Sequence, residues 1–207
     1  PPRLCLREPS DDAMADPPEP HPVASLRDPE ALLDRDAVRV ERVARTLDAD
    51  RYEARRERYD DIDGVVQIGL TDGDGRVLLQ DWNGTGGWAP PGGTVDPEAD
   101  WAAAARRSAE RLTGVSVAVD GAVLVEDLRF ERRDGSASFS AYGVSFVCSL
   151  AEPAPSFRED PAVAPESRFA EGDAELAWAS TVPDGTIENH VDHVDQFLRY
   201  TGGDGDD

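Results

Sequence analysis

Short apolar runs separated by turn residues fill the chain from about residue 64 onward. Gly64 to Thr71 and Arg76 to Trp82 are two such runs, and the Asp-Gly-Asp-Gly sequence between them predicts a β-hairpin. Trp88 begins a short run that leads into Gly92-Gly93. Further strands are predicted over residues 115–119, 122–131, 136–150 and 175–180, with an Asp-Gly turn at residues 134–135.

One helix among these strands has clear start and stop signals. Between residues 96 and 114 apolar positions recur at spacings of three and four, which predicts a narrow inner stripe of Ala102, Ala105, Ala109 and Leu112. Asp96-Pro97-Glu98 predicts the start, because Asp can cap free N–H groups and Pro lacks one. Gly114 suits the left-handed residue that closes a helix.

The pattern before residue 61 differs from the rest. Residues 1–29 and 202–207 are acidic or rich in Pro and are predicted to be disordered tails. Residues 30–60 have apolar positions three and four apart, which predicts a helical extension in two pieces, the second from Arg51 to Tyr59. The run of arginines in that piece alternates with Glu53 and Glu57, which favours a solvated helix face over a phosphate-binding patch. Residues 61–201 remain as the main domain.

Two features near the C-terminus carry candidate chemistry. Residues 151–172 form a long Pro-rich loop in which Phe157 or Phe169 would stack on a base or anchor the loop, and the anchor is favoured. A last helix is predicted over residues 189–200. His190 and His193 share one of its faces, and without an obvious third ligand they are interpreted as surface or capping histidines rather than metal ligands.

Composition narrows the possible partners. The chain has 207 residues and a formal net charge of −22, and all 21 basic residues are arginine. Such an acidic surface argues against nucleic acid and anionic membranes as partners. No apolar run approaches the ~20 residues of a membrane span, and no secretory segment is present, so a cytoplasmic location is expected. Cys5 and Cys148 lack zinc spacing.

The stretch from Trp88 to Val115 resembles the Nudix box. That pattern is Gly, five residues, Glu, seven residues, and then Arg-Glu-apolar-any-Glu-Glu-any-Gly-apolar. Gly93 and Gly114 stand at its two glycines and Arg107 at its arginine. The resemblance implies an α/β (α+β) fold, a Nudix-type α/β/α sandwich with a mixed sheet, to which the N-terminal helices would be added. It also implies hydrolysis of a nucleoside diphosphate linked to another moiety, with Mg²⁺ or Mn²⁺ as cofactor if the protein is catalytically active.

The four glutamates of that pattern are absent in this register. Ala99, Ser108, Arg111 and Leu112 stand in their places. Starting the pattern one residue earlier, at Gly92, recovers Glu98 and Glu110 but puts Thr113 at the closing glycine. The unshifted register is therefore preferred, and no metal ligand is assigned. Glu98 and Glu110 remain the candidate catalytic acids if the protein is an enzyme.

Three interpretations of function follow. The first is a Nudix hydrolase whose metal-dependent catalysis is weak or lost. The second is a non-catalytic protein that binds a nucleoside diphosphate derivative through Arg107, Arg111 and the backbone of Gly92 and Gly93, since a guanidinium fork suits a diphosphate. The plainer interpretation, that Arg111 is a solvated surface arginine, is favoured over it. The third is a regulatory or structural protein, for instance a homodimer that pairs through its N-terminal helices.

The charge composition resembles that of proteins from salt-accumulating halophiles and predicts a dependence on salt. At about 1 M salt the Debye length falls to about 3 Å, so repulsion among the carboxylates is screened. We expect the protein to unfold as KCl is dialysed from about 2 M to below about 0.1 M. Far-ultraviolet circular dichroism measures this, and an unchanged spectrum at low salt would refute the halophilic interpretation.

Overall fold

The computed structural model describes residues 19–170 and 172–201, and its centre is a mixed sheet of eight strands. The strands are β1 Arg39–Leu47, β2 Gly64–Thr71, β3 Val77–Asp81, β4 Trp88–Ala89, β5 Gly92–Val95, β6 Val117–Arg132, β7 Ser138–Leu150 and β8 Glu175–Ala179. The helices are α1 Ala49–Asp60, α2 Trp101–Thr113, α3 Pro155–Glu159 and α4 Val191–Arg199, with 3-10 turns at Pro29–Leu32 and Glu188–His190. Within the described part of the chain, no helix is long and apolar enough to cross a membrane.

The sheet order is β1-β6-β7-β2-β3-β4, with β5 added to β2 and β8 added to β3. The β1–β6 and β2–β7 pairs are parallel, whereas β6–β7, β2–β3 and β2–β5 are antiparallel. This mixed α/β arrangement confirms the predicted fold class. The two strands predicted over residues 115–131 are one strand, β6, whose register shifts near Gly121.

Helices cover both faces of the sheet. On one face α2 buries its alanine stripe against β2, β6 and β7, as predicted, and the buried Trp101 joins it. On the other face α4 packs Val194 and Phe197 over β3 and β7, while α1 covers the aromatic end of β6 and β7. A Cβ on Gly69 of β2 would collide with the ring of Phe197, so this glycine lets α4 lie close to the sheet.

The N-terminal prediction was wrong for its first helix. Residues 39–47 form strand β1, which pairs in parallel with β6 over nine positions. The same apolar positions also fit a strand. Val40 lies on one face of β1 and packs against the main core, whereas Val43 and Leu47 lie on the other face and pack against Leu128 and Phe130. Pairing with a long neighbouring strand therefore outweighed a weak helical period. The second helical piece is α1, and a homodimer contact through this region stays a prediction.

The predicted N-terminal tail is also partly wrong. Residues 1–18 and 202–207 lie outside the described part of the chain, but residues 19–29 are placed against the domain. His21 exchanges two backbone hydrogen bonds with Ala122, of 2.9 and 3.0 Å, and Leu26 is buried in the main core. The carboxylate of Asp100 accepts hydrogen bonds from the hydroxyl of Ser25 and the N–H of Leu26. Residues 19–29 therefore form an irregular segment that packs along the domain.

Polar side chains cluster beneath α4. Glu126 of β6 lies 3.8 Å from Nε2 of His193, and the rings of His190 and His193 are 5.8 Å apart between centroids. Burial raises the pKa of Glu126, which the nearby His193 partly offsets. Burial, with repulsion from His193, lowers the pKa of His190 to about 4. The sequence predicted surface or capping histidines. His190 is half-buried at the N-cap position of α4, although its side chain makes no capping hydrogen bond, and His193 is buried rather than on the surface.

The lowered pKa of His190 predicts a loss of stability in mild acid. The unfolded chain takes up a proton near pH 6.5, whereas the folded protein resists it until about pH 4. Stability should therefore fall as pH drops through this window. After a discount for partial exposure, we expect the free energy of unfolding to fall by about 1 kcal/mol between pH 6.5 and pH 5. This fall should be absent in His190→Asn.

Denaturant unfolding at the two pH values and constant KCl measures this difference. The His21→Asn variant removes a histidine outside the cluster, and it should lose as much stability between the two pH values as the parent protein. An equal loss in the parent and in His190→Asn would contradict the assignment.

Candidate functional site

The glycine pair of β5 meets the middle of α2 at one edge of the sheet. Gly92 and Gly93 pair with Gln67 and Val66 of β2. A Cβ on Gly93 would collide with the hydroxyl of Ser108 and lie 2.8 Å from its Cβ. Ser108 is therefore the side chain of α2 that faces the glycine pair, and the absence of a side chain at Gly93 allows the contact.

The ends of α2 set which side chains surround this contact. The N-cap is Asp100, whose carboxylate accepts the N–H of Ala103 at 2.8 Å, and not Asp96 as the sequence predicts. Burial opposes the charge of Asp100, but hydrogen bonds from Ser25, Ala103 and Leu26 outweigh it and lower its pKa. Gly114 closes the helix in the left-handed conformation with φ of 71°, as predicted.

Glu98 lies in the turn before α2, with a positive φ of 61°. Its N–H donates to the carboxylate of Asp63 at 2.7 Å, and its carbonyl oxygen accepts from Arg27 at 3.1 Å. Glu110 lies near the other end of the helix, where its Oε1 accepts the N–H of Val117 at 3.3 Å. The helix between them spans roughly 14 Å at 1.5 Å per residue. The structure thus does not bring the two candidate acids together.

A depression of about 320 Å³ opens beside the last turns of α2 and is lined by Arg107, Glu110, Arg111 and Glu166. Arg107 and Arg111 are exposed and lie one helical turn apart. Among the residues that the structure describes, no carboxylate lies within salt-bridge distance of either guanidinium. Both arginines are therefore available to an anion in this depression.

The Pro-rich loop forms the other wall. The N–H of Ala164 donates to the carbonyl oxygen of Leu112 at 2.8 Å, which pins the loop to the end of α2. The sequence did not single out Glu166, because one acidic residue in an acidic chain gives no signal. Phe157 is buried against Trp178, as a loop anchor, whereas Phe169 contacts Trp82.

The side chains around the glycine pair do not fit a divalent cation. Mg²⁺ and Mn²⁺ prefer carboxylate and other oxygen ligands. Ser108 faces the glycines, Arg111 is a cation, and Leu112 is buried in the core. Across residues 19–170 and 172–201, no three His, Cys, Asp or Glu side chains are grouped so that they would hold a metal ion.

Several solved structures are similar to this chain. A solved hydrolase of the Nudix family from Clostridium perfringens is 15% identical with a TM-score of 0.48, and the match covers 68% of this chain and 98% of that one. An ADP-ribose pyrophosphatase from Streptococcus suis is 12% identical with a TM-score of 0.44, over 69% and 94% of the two chains. A Nudix hydrolase from Nitrosomonas europaea is 16% identical with a TM-score of 0.46, over 70% and 75%.

Comparison with curated protein sequences gives no significant match. The family model described as the NUDIX domain matches residues 62–180, from the start of β2 to the end of β8. That segment is more than half of the 207-residue chain and contains both the glycine pair and α2. The chain therefore belongs to the Nudix hydrolase family.

Proposed function

We propose that this protein binds a nucleoside diphosphate derivative by its diphosphate group in the depression beside α2, and that metal-dependent hydrolysis of the ligand is weak or absent. The proposal rests on Arg107 and Arg111, which line the depression. None of the glutamate positions of the Nudix box holds a carboxylate in this chain. Two guanidinium groups one turn apart project from neighbouring points of a helix surface, about 5–6 Å apart at Cβ.

The local charge permits an anionic ligand here, because Arg107 and Arg111 offset the two glutamates, Glu110 and Glu166, that also line the depression. The whole chain has a net charge of −22, yet α2 carries three arginines and one glutamate. A guanidinium donates parallel hydrogen bonds to phosphate oxygens without needing a metal bridge. The glycine pair lies in β5 with the Ser108 side chain against Gly93, so the proposal rests on the two arginines rather than on the glycine N–H groups.

The missing carboxylates support weak or absent hydrolysis. A bound Mg²⁺ or Mn²⁺ would neutralise phosphate charge and orient an attacking water. Arg111 places a positive charge where such an ion would need an acidic ligand, and Leu112 points into the core. Glu98 and Glu110 are too far apart along α2 to share one ion. The arginines would therefore hold the diphosphate in place of the metal.

Charge reversal at Arg111 tests the binding site. In EDTA and at about 2 M KCl, we expect calorimetric titration with ADP-ribose to give measurable heat for the parent protein. Arg111→Glu should weaken binding by about tenfold to a hundredfold, because it removes a charge-assisted hydrogen bond and adds repulsion. Arg106→Glu makes the same charge change on the same helix, outside the depression, and should have little effect.

Two results would contradict the proposal. No heat from the parent at millimolar ligand would remove the binding function. Brisk phosphate release by the parent from a panel of nucleotide substrates, with Mg²⁺ or Mn²⁺ at high KCl, would remove the claim of lost catalysis. Activity gained in Arg111→Glu and absent in the parent would identify Arg111 as the replaced ligand position.

A further inference from the structure

Strand β1 lies at one edge of the sheet. Among the residues that the structure describes, it pairs with β6 alone. In a parallel pair the peptide groups of alternate residues point away from the partner strand, so about half of the N–H and C=O groups of β1 face outward. Natural proteins seldom leave a long edge of this kind open, because it is a template for another strand. The edge of β1 is therefore a candidate docking surface for a further strand.

The side chains of β1 differ in charge from the rest of the chain. The strand carries three arginines and one glutamate, whereas the whole chain has a net charge of −22. Ala44, Arg45 and Thr46 are exposed in a row. Within the described part of the chain, no carboxylate lies within salt-bridge distance of Arg45. The strand therefore lacks the excess of carboxylates that would keep two acidic copies of the chain apart.

The sequence of β1 is complementary to itself in one antiparallel register. The outward peptide groups of two identical edges meet only in registers that are centred on a residue. A register centred on Val43 places Glu41 of each copy directly opposite Arg45 of the other, which gives two pairs of opposite charge on one face of the sheet. The other opposed pairs contain no two like charges, and they are Arg39 with Leu47, Val40 with Thr46 and Arg42 with Ala44.

The neighbouring registers lack this complementarity. Centring the pair on Arg42 would place Arg42 opposite itself and Arg39 opposite Arg45. Centring it on Ala44 would place neither Glu41 nor Arg45 opposite a residue of the other sign. Opposite charges directly across a strand pair stabilise it, whereas like charges destabilise it. The charges of β1 therefore select the register centred on Val43.

We propose that two copies of this chain pair through β1, antiparallel about a two-fold axis at Val43, and join their two sheets into one. The main-chain hydrogen bonds of the added strand hold the two copies together, and the Glu41–Arg45 pairs fix the register. The same surface is used by both copies, as a two-fold contact requires. The contact is a strand rather than the helices that the sequence predicted for a homodimer, and it does not depend on the proposed diphosphate site.

Charge exchange between Glu41 and Arg45 tests the contact. Sedimentation velocity at about 1 M KCl, where touching charges still interact, should show a concentration-dependent dimer of the parent. Arg45→Glu should weaken dimerisation by about tenfold or more, because it opposes two carboxylates at both positions. The double variant Glu41→Arg, Arg45→Glu should restore dimerisation, since it exchanges the charges and keeps the net charge. Arg106→Glu makes the same charge change as Arg45→Glu on the exposed side of α2 and should dimerise like the parent.

Hydrogen exchange of the parent measures the edge directly. Amides of residues 39–47 should exchange more slowly at about 200 μM protein than at about 1 μM, because mass action favours the dimer. Protection that does not depend on concentration would show that another part of the chain covers the edge, and it would overturn the proposal. A monomeric parent would do the same, as would dimerisation that Arg45→Glu leaves unchanged or that the double variant does not restore.

An equal loss of dimerisation in Arg106→Glu and Arg45→Glu would also count against the contact, because it would trace the effect to net charge rather than to β1.

Discussion

The close contact between α2 and the glycine pair of β5 is the constraint on which the rest of this structure depends. The helix buries alanines rather than large side chains, and Gly93 has no Cβ to hold Ser108 away. Small residues at both surfaces let the helix lie against the sheet edge. With the helix placed there, Ser108 faces the edge, Arg111 is exposed, and Ala109 and Leu112 fill the core. This orientation of α2 decides which of its side chains are exposed and can contact a ligand.

Electrostatics then give the exposed side of α2 a character opposite to that of the whole chain. In the described part of the chain, nine other arginines form ion pairs, such as Arg76 with Asp72 and Arg56 with Asp60, and eight do not. In the depression the two helix arginines face open space, beside a loop that also supplies an aromatic contact. We propose that arginine at a glutamate position of this family scaffold exchanges attraction for a metal for attraction for the phosphate itself.

Much of the fold could be predicted because its elements carry local signals. The β2–β3 hairpin has its Asp-Gly turn, and α2 has its alanine stripe and Gly114. Strand β1 could not be predicted, because its valines fit either period and the pairing with β6 that decides between them is distant in sequence. The helix start was misplaced because Asp96 and Asp100 are equally good caps, and only contacts with Ser25 and Leu26 select Asp100.

In the lining of the depression, Arg107 and Arg111 are residues that the motif singles out, whereas Glu166 is not. The place of Glu166 depends on how its loop folds onto the end of α2, and that loop has no periodic pattern. The buried position of His193 on α4 was likewise not evident from the helix pattern alone.

The central claim is that α2 has exchanged a cation site for an anion site, and manganese binding tests it most directly. Electron paramagnetic resonance of Mn²⁺ titrated into the purified protein at high KCl counts the ions held without any nucleotide present. The account predicts no stoichiometric site in the parent and a gain of Mn²⁺ affinity when Ser108 and Arg111 are both changed to Glu. A tight, stoichiometric Mn²⁺ in the parent that disappears in Glu98→Gln or Glu110→Gln would contradict it.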